Sequence, residues 1–455
     1  MEDLTTNVNQ AFTGVGEVVC DPGSARIYEH GWQSWSPTTT YSLHDRPYRP
    51  AGENNRVLNY RADGSTPEGS FQGEGLLAVQ ERNNGPVHLF AADPGTAALP
   101  SIRAWVQDHA VVVASDGAIR QTVDDGPGGI FGALGRWGDR YASALEVGPI
   151  RPAPTIWCSW YHYFMEVTEQ DMLENLDIID ELQLPVDVVQ LDDGYQAEIG
   201  DWLTPSGRFG SLRDLVARIR DHGRRTGIWT APFLVGRRSR LYAEHPEWLL
   251  EHASAGHNWH QDLFALDVTH PGAAAYLHRV FSSFHHLGID FFKVDFIYAG
   301  ALEGRRYEDM PPVEAYQRGL RLIRDAIGPQ AYLLGCGAPI LPSVGLVDAM
   351  RVSPDTGPEY EPRQADLSLP SIRAAMLSGV GRAWQHGRFW VNDPDCLLAR
   401  PEVEARVDWA RHIERYGGLR GSSDRLRDLD EWGLQTTRQL LSTVPSPEPF
   451  PLDPS

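Results

Sequence analysis

Residues able to do chemistry recur in this 455-residue chain at one kind of place, the end of a short apolar run. Asp192 and Asp193 close QLDDG, Lys293 and Asp295 lie in FFKVDF, and Cys336 lies in GCGAP. Arg351, Ser353 and Asp355 follow in MRVSPD, then Asn392, Asp393 and Asp395 in WVNDPD. Side chains alternate across a strand, so Lys293 and Asp295 share one side of theirs. A buried charge is expensive alone, and a lysine beside an aspartate offsets part of that cost while favouring the ionised carboxylate. Seen alone, such a pair reads equally well as a structural ion pair. A ring of acidic strand ends is harder to explain structurally, because clustered carboxylates repel.

Two carboxylates on different strands of one mouth, one ionised and one protonated, are what cleavage of a glycosidic bond requires. Asp295, with its neighbouring cation, is the candidate nucleophile. Asp355, whose pKa nearby carboxylates would raise, is the candidate acid/base. A turn or helix-cap role within SPDTG is the competing reading for Asp355. Asp192 and Asp193 suit acceptance of hydrogen bonds from sugar hydroxyls. Metal binding is their weaker reading, because no histidine stands nearby at metal-ligand spacing. His285-His286 reads as helix surface and His162 stands alone, which leaves a carboxylate-only Mg²⁺ or Ca²⁺ site as the remaining form. The chain has neither a P-loop nor a GxSxG elbow.

These residues need a scaffold that gathers strand ends. After Pro152-Ala-Pro154, strand-like and helix-like segments alternate. The strands are TIWCSWY, VDVVQLDDG, TGIWTAPF, GIDFFKVDF, AYLLGCGAP, AMRVSPD, RFWVNDPD and GGLRGSSD. TEQDMLENLDIIDELQ and SLRDLVARIRDHG begin at a threonine and a serine cap, and PGAAAYLHRVFSSFHHLG runs from proline to glycine. PPVEAYQRGLRLIRDAIG, PEVEARVDWARHIERYGG and LRDLDEWGLQTTRQLLSTV complete the helices with clear patterns. Eight strand–helix units predict a (β/α)₈ TIM barrel of the α/β class, with the polar strand ends at its C-terminal mouth. LFALDV, residues 263–268, is a ninth strand candidate and is assigned to an excursion. Residues 1–150 differ: short runs such as GLLAVQ, VHLFAA and AWVQDHAVVVA alternate with DPG, NNG and DGPGG, and no amphipathic helix is evident. That pattern predicts an antiparallel β-sandwich. The expected division is a sandwich over 1–150, the barrel over 151–445, and a proline-rich irregular tail over 446–455.

A net charge of −21 argues against nucleic acid or an anionic membrane as partner. Cys20, Cys158, Cys336 and Cys396 form no CxxC pair and are too scattered for a disulfide framework. The opening MEDLTTNVNQAF lacks the apolar core of a secretory signal, and no stretch approaches the ~20 apolar residues of a membrane span. Cytoplasm and reduced thiols are the expectation. The 14 Trp and 16 Tyr suit a pocket in which rings lie on sugar C–H faces, with core packing accounting for most of them.

WCSWYHYF, QLDDGYQAEIGDWL, GIWTAPF, ALDVTHPG, FFKVDFIYAGAL, GCGAP, MRVSPDTGP and WVNDPDCLLAR appear in this order. Together they resemble the α-galactosidases (melibiases) of glycoside hydrolase family 36, of clan D, and HGWQSWSP at 30–37 is similar to a motif of that family's N-terminal sandwich. The resemblance covers most of 25–425. It implies a β-supersandwich before the barrel, no cofactor or metal, and hydrolysis of terminal α-galactosides, such as melibiose and raffinose, with retention. It also implies Asp295 as nucleophile and Asp355 as acid/base. Asp192 and Asp193 would hold the galactose 4- and 6-hydroxyls, with Lys293 also on the sugar and Cys336 and Arg351 facing the 2-hydroxyl. Trp160 and Trp229 would be apolar walls. Trp35 would be the aromatic lent by the sandwich, with Trp32 its rival. The chain departs from the family in GCGAP, where serine is frequent in place of Ala338, in SPDTGPEY, and in having only residues 446–455 after the last expected helix, too few for the family's small C-terminal β-domain. The alternatives are a retaining glycosidase or transglycosylase on another galactose-configured sugar, such as an α-N-acetylgalactosaminide, or a carbohydrate-binding protein without catalysis. A homo-oligomer is left open.

Overall fold

The computed structural model describes residues 12–451 apart from 51, 63–65 and 68. Residues 1–11 of the opening segment and 452–455 of the expected tail lie outside the described residues. The N-terminal strands are β1 (Thr13–Val19), β2 (Arg26–Glu29), β3 (Thr39–Ser42), β4 (Phe71–Glu74), β5 (Leu76–Gln80), β6 (Val87–Ala91), β7 (Ser101–Gln107), β8 (Ala110–Ser115) and β9 (Arg120–Asp124). They form two antiparallel sheets, β1-β8-β7-β4 and β3-β2-β5-β6-β9. Ile27, Leu77, Val79 and Phe90 of the second sheet meet Phe71, Ile102, Val111 and Val113 of the first in one core. The other face of the second sheet, with Tyr28, Leu76, Ala78 and Leu89, is buried in the larger core that runs on into the barrel. Burial on both faces explains why VHLFAA reads as continuous rather than alternating.

Two helices lie in this region, where none was expected: α1 (Glu53–Asn59) and α2 (Gly129–Ala144). Four glycines in GIFGALGRWGDRYASA weaken the helical signal of α2, since each costs roughly 1 kcal/mol against alanine. Packing overrides that propensity. Ile130, Ala133, Leu134, Trp137 and Tyr141 form one buried face at helical spacing, and Gly138 is where the Trp384 ring passes: a Cβ there would lie 2.9 Å from it.

The chain continues through β10 (Ile156–Cys158), the one-turn α3 (Trp160–Tyr163), α4 (Glu169–Glu181), β11 (Val188–Leu191), α5 (Leu212–Asp221) and β12 (Arg225–Thr230). An excursion of β13 (Leu234–Gly236), α6 (Arg240–Glu244), β14 (His257–Asn258) and β15 (Gln261–Ala265) comes next, and its strands make a separate antiparallel sheet. LFALDV falls in and just after β15, outside the barrel sheet, as expected. The barrel resumes with α7 (Pro271–Leu287), β16 (Ile289–Val294), α8 (Pro312–Ile327), β17 (Tyr332–Gly335) and β18 (Ala349–Arg351). It ends with α9 (Ile372–Gly381), β19 (Val391–Asp393), α10 (Arg406–Tyr416), β20 (Gly421–Ser422) and α11 (Glu431–Leu441). The eight expected strands form one parallel sheet in the order β20-β10-β11-β12-β16-β17-β18-β19. The sheet curls so that its two ends meet, where the Asn392 carbonyl accepts from the Gly418 and Leu419 amides, both at 3.0 Å.

Helix caps follow the sequence signals. Thr168 and Asp171 close a capping box on α4, Ser211 caps α5, and α7 ends at left-handed Gly288, φ 101°. One unit departs from the expected eight. Between β17 and β18, all of it described, the only helical turn is the 3₁₀ segment Leu341–Ser343. Pro339 and Pro342 interrupt this short connection, and the sandwich loop packs against it: Ser34 N donates to Ala338 O at 3.1 Å and Ile340 N to Trp32 O at 2.9 Å.

Buried Arg382, just past α9, fixes the same loop. Its Nη1 donates to the carbonyls of Ser34 (2.7 Å) and Val352 (2.9 Å), and its Nη2 to those of Gln33 (2.9 Å) and Ser36 (3.0 Å). Arg382→Ala strands four buried acceptors, each costing about 1–3 kcal/mol. The expected outcome is a loss of about 3 kcal/mol or more in urea unfolding.

Candidate active site

At the end of β11, Asp192 is fully enclosed. Its Oδ2 accepts from Lys293 Nζ at 3.0 Å, Gln190 Nε2 at 2.7 Å and the Cys158 thiol at 3.3 Å, and its Oδ1 takes the Asp193 amide at 2.9 Å. Asp193 accepts from Gln196 Nε2 (2.6 Å) and Trp259 Nε1 (2.7 Å). Burial, then the charges of Asp192 and Asp295, push its carboxyl up to about 6 against those two donors. Lys293 stands between two acids, 3.0 Å from Asp192 and 3.7 Å from Asp295. The lysine is thus closer to Asp192 than to the aspartate beside it in sequence. Burial alone would discharge Lys293, but the two carboxylates hold its pKa well above the ordinary lysine value.

Asp295 sits just past β16 and keeps 6% of its surface exposed. Its Oδ2 accepts from Trp229 Nε1 at 3.0 Å and its Oδ1 from the Phe296 amide at 2.8 Å. Phe296 takes a left-handed conformation, φ 51°, which costs a non-glycine residue about 1 kcal/mol or more. These two donors occupy both carboxylate oxygens, with Lys293 Nζ 3.7 Å away. Trp229 is therefore more than the apolar wall that the resemblance implies. Trp35 packs edge-on against Phe296, ring centroids 4.7 Å apart, and a Cβ on left-handed Gly337 would lie 2.8 Å from its ring. Among the described residues its buried indole N–H has no hydrogen-bond partner. Its rival Trp32 lies instead under Arg61, 5.0 Å from ring centroid to guanidinium, beside Arg49 and Glu74 in the sandwich.

Across β17 from Asp295, Arg351 gathers three carboxylates: Asp355 at 3.1 Å, Asp393 at 3.1 Å and Asp395 at 2.9 Å. Asp393 and Asp395 are closed off, whereas 30% of the Asp355 side chain remains open, which makes it the member able to meet a ligand. Burial, and then the charges of Asp395 and Asp295, lift the Asp355 carboxyl well above the usual carboxylate range against Arg351 and Lys293. The helix-cap reading of Asp355 does not hold: the cap of α9 is Ser371, whose hydroxyl accepts from the Ala374 amide. Cys336 is buried just past β17, and burial together with the charges of Asp295 and Asp355 keeps it a thiol. β16 and β18 are two ladder steps apart, roughly 10 Å, and side chains converging from both can close to carboxylate spacing.

Trp160 stands on α3 with its ring edge-on to Phe164 at 5.2 Å. Tyr161, next in sequence, reaches the carboxylates by a hydrogen bond to Asp395. Tyr161 and Trp259 are the two functional contacts that sequence reasoning missed. WCSWYHYF had marked the neighbourhood of Tyr161, but Trp259 lies in an excursion that showed no signal. Asn392, one of the polar strand-end residues, turns its amide to the Arg382 carbonyl instead.

This fold and this mouth define a class: a barrel-and-sandwich protein of the glycoside-hydrolase type. The Melibiase family model matches residues 150–310. An α-galactosidase from Thermus thermophilus, solved with p-nitrophenyl α-D-galactopyranoside, is 26% identical with a TM-score of 0.78, over 96% of this chain and 94% of that one. α-Galactosidase 1 of Pediococcus pentosaceus is 26% identical over 155 residues, 31% of this chain and 20% of that protein. An A type blood α-D-galactosamine galactosaminidase of Flavonifractor plautii is 34% identical over 122 residues, 24% of this chain and 11% of that one. The matched stretches thus span a fifth or less of those two curated relatives. The chain is thus similar in sequence to the melibiases over residues 150–310, and in fold to an α-galactosidase over almost its whole length.

Proposed function

We propose that the protein hydrolyses terminal non-reducing α-D-galactosyl residues of oligosaccharides by double displacement. The observation that carries this reading is the unequal treatment of two aspartates at one mouth. Asp295 takes two direct hydrogen-bond donors with Lys293 3.7 Å away, while burial and like charges favour the proton on Asp355. Asp295 attacks the anomeric carbon as Asp355 protonates the departing glycosidic oxygen. Asp355 then takes a proton from water, which attacks the same carbon, frees galactose and releases Asp295. Asp192, Asp193 and Lys293 would hold sugar hydroxyls, Trp229, Trp160 and Trp35 would line the pocket, and Cys336 and Arg351 would face the 2-hydroxyl. Cys336 is fully buried and Arg351 is held by three acids, which leaves little give for a 2-acetamido group and favours galactose over its N-acetyl analogue.

Proton NMR of nitrophenyl α-galactoside turnover tests the reading, with melibiose and raffinose as further substrates. The expected first product is α-galactose. Release of β-galactose first would overturn double displacement. Turnover of the N-acetyl analogue alone would move the substrate, and binding without turnover of either would leave a carbohydrate-binding protein. No helix among the described residues is long and apolar enough to cross a membrane. We propose a cytoplasmic location, which four buried cysteines present as free thiols support.

A further inference from the structure

Trp259 occupies a costly place. It and His260 form the two-residue turn between β14 and β15, with φ of 49° and 56°. Such turns need both residues in the left-handed region and favour Asn-Gly. A tryptophan and a histidine there cost about 1 kcal/mol or more each, so the surroundings must over-determine the conformation. Inside the mouth, the Trp259 ring lies between Trp229 (6.3 Å) and Phe296 (4.9 Å), and its N–H meets Asp193 at 2.7 Å. On the outer side the sandwich grips the base of the hairpin. The Asn54 side chain of α1 pairs with both backbone groups of His257, accepting from its N–H at 2.6 Å and donating to its C=O at 3.3 Å. Left-handed Gly256 lies so close to α1 that a Cβ would stand 3.0 Å from Leu58.

We infer that Trp259 is a positioning residue for sugar recognition, which orients Asp193 from the barrel excursion and is itself set by α1 of the sandwich through Asn54. The inference rests on the α-galactosidase reading for the identity of the ligand. An ionised carboxylate offers about four lone-pair sites. Gln196 takes one on Oδ1 and Trp259 one on Oδ2, so the free sites of both oxygens have fixed directions for two sugar hydroxyls. Trp35 is thus one of two routes by which the sandwich reaches the mouth.

The consequence is pH-dependent. Asp192 faces Asp193 from its own strand, Asp295 and Lys293 from β16, and His260 from the turn. Arg208, Arg238, Glu166 and Glu198 face it across an adjoining cavity of about 190 Å³. Donors to the ionised form hold Asp193 down against burial, so losing the indole N–H raises it further. The acceptor form is then lost at higher pH as the solution is acidified.

Trp259→Phe keeps a ring and removes the donor. The expected result on nitrophenyl α-galactoside is an increase in KM of about 10- to 100-fold, kcat changed by less than about threefold, and the acid limb of kcat/KM moved up by about half a pH unit or more. Asn54→Ala, outside the mouth, should change KM and the acid limb in the same direction by less, and it serves if Trp259→Phe fails to fold. An equal loss at every pH with the limb unmoved, or no change, in whichever variant folds overturns the inference. If wild type turns over no α-galactoside, the functional reading has failed separately, and calorimetric titration of galactose between pH 5 and 8 on the same proteins decides this one. Wild type that binds no galactose overturns both.

Discussion

Asp295→Ala is expected to lower kcat/KM on nitrophenyl α-galactoside by at least about 10⁴-fold while leaving galactose binding within about threefold of wild type. In the proposed mechanism the carboxylate is removed from the point where the new bond to the anomeric carbon forms, and no other described acid takes its position. Asp192 is held in place by Lys293, Gln190 and Cys158, and Asp393 and Asp395 are committed to Arg351. The fold should survive, because Lys293 keeps Asp192 at 3.0 Å and the pair left behind is neutral. Added azide should restore part of the rate by entering the vacated space. It forms the C–N bond as nitrophenolate leaves, and the product is β-galactosyl azide, inverted from the substrate. Activity within tenfold of wild type, or an α-configured azide, would remove Asp295 as nucleophile.

The strands of the barrel could be read directly because a parallel strand buried on both faces is a short apolar run, and each run here stops at residues that have no place in a core. That is why Asp192, Lys293, Asp295, Arg351 and Asp355 stood out. What escaped was everything decided by non-local contact. α2 has four glycines and forms because Trp137 and Tyr141 find Trp384 and Phe389 more than 240 residues on. The connection after β17 has no α-helix, and the sandwich loop packs on it. Alternation put Lys293 on the side of Asp295, correctly, yet could not show that Asp192, from a strand two places away, would be nearer. Trp259 and Tyr161 meet their aspartates across 66 and 234 residues of chain, with no local pattern to betray either. The helix-cap reading of Asp355 had no local test either, since only the fold assigns the cap of α9 to Ser371.

Asp355→Ala should instead produce a loss that depends on the leaving group. A sugar alkoxide cannot depart unprotonated, so kcat/KM on raffinose should fall by about 10²- to 10⁴-fold. Dinitrophenolate needs no proton, and kcat/KM on dinitrophenyl α-galactoside should change by less than about tenfold, with hydrolysis of the galactosyl intermediate becoming limiting. Arg351 retains Asp393 and Asp395, so the variant leaves no unpaired buried cation. The pH profile supplies the second readout. Burial and neighbouring charge raise the Asp355 carboxyl to about 7, with its open side tempering the shift. The protonated form that serves as acid is full below that value and drains away above it, so wild-type kcat/KM on raffinose should decline as pH rises through about 7. Asp355→Ala should abolish that decline. Azide should accelerate it too, but through the β-linked galactosyl enzyme, attacking from the α face as the bond to Asp295 breaks, so the product is α-galactosyl azide. The two variants thus yield opposite anomers from one nucleophile, a contrast that a general loss of pocket structure could not generate. An equal loss on both substrates with the alkaline limb intact would strip Asp355 of the acid/base role and direct attention to the other acids around Arg351.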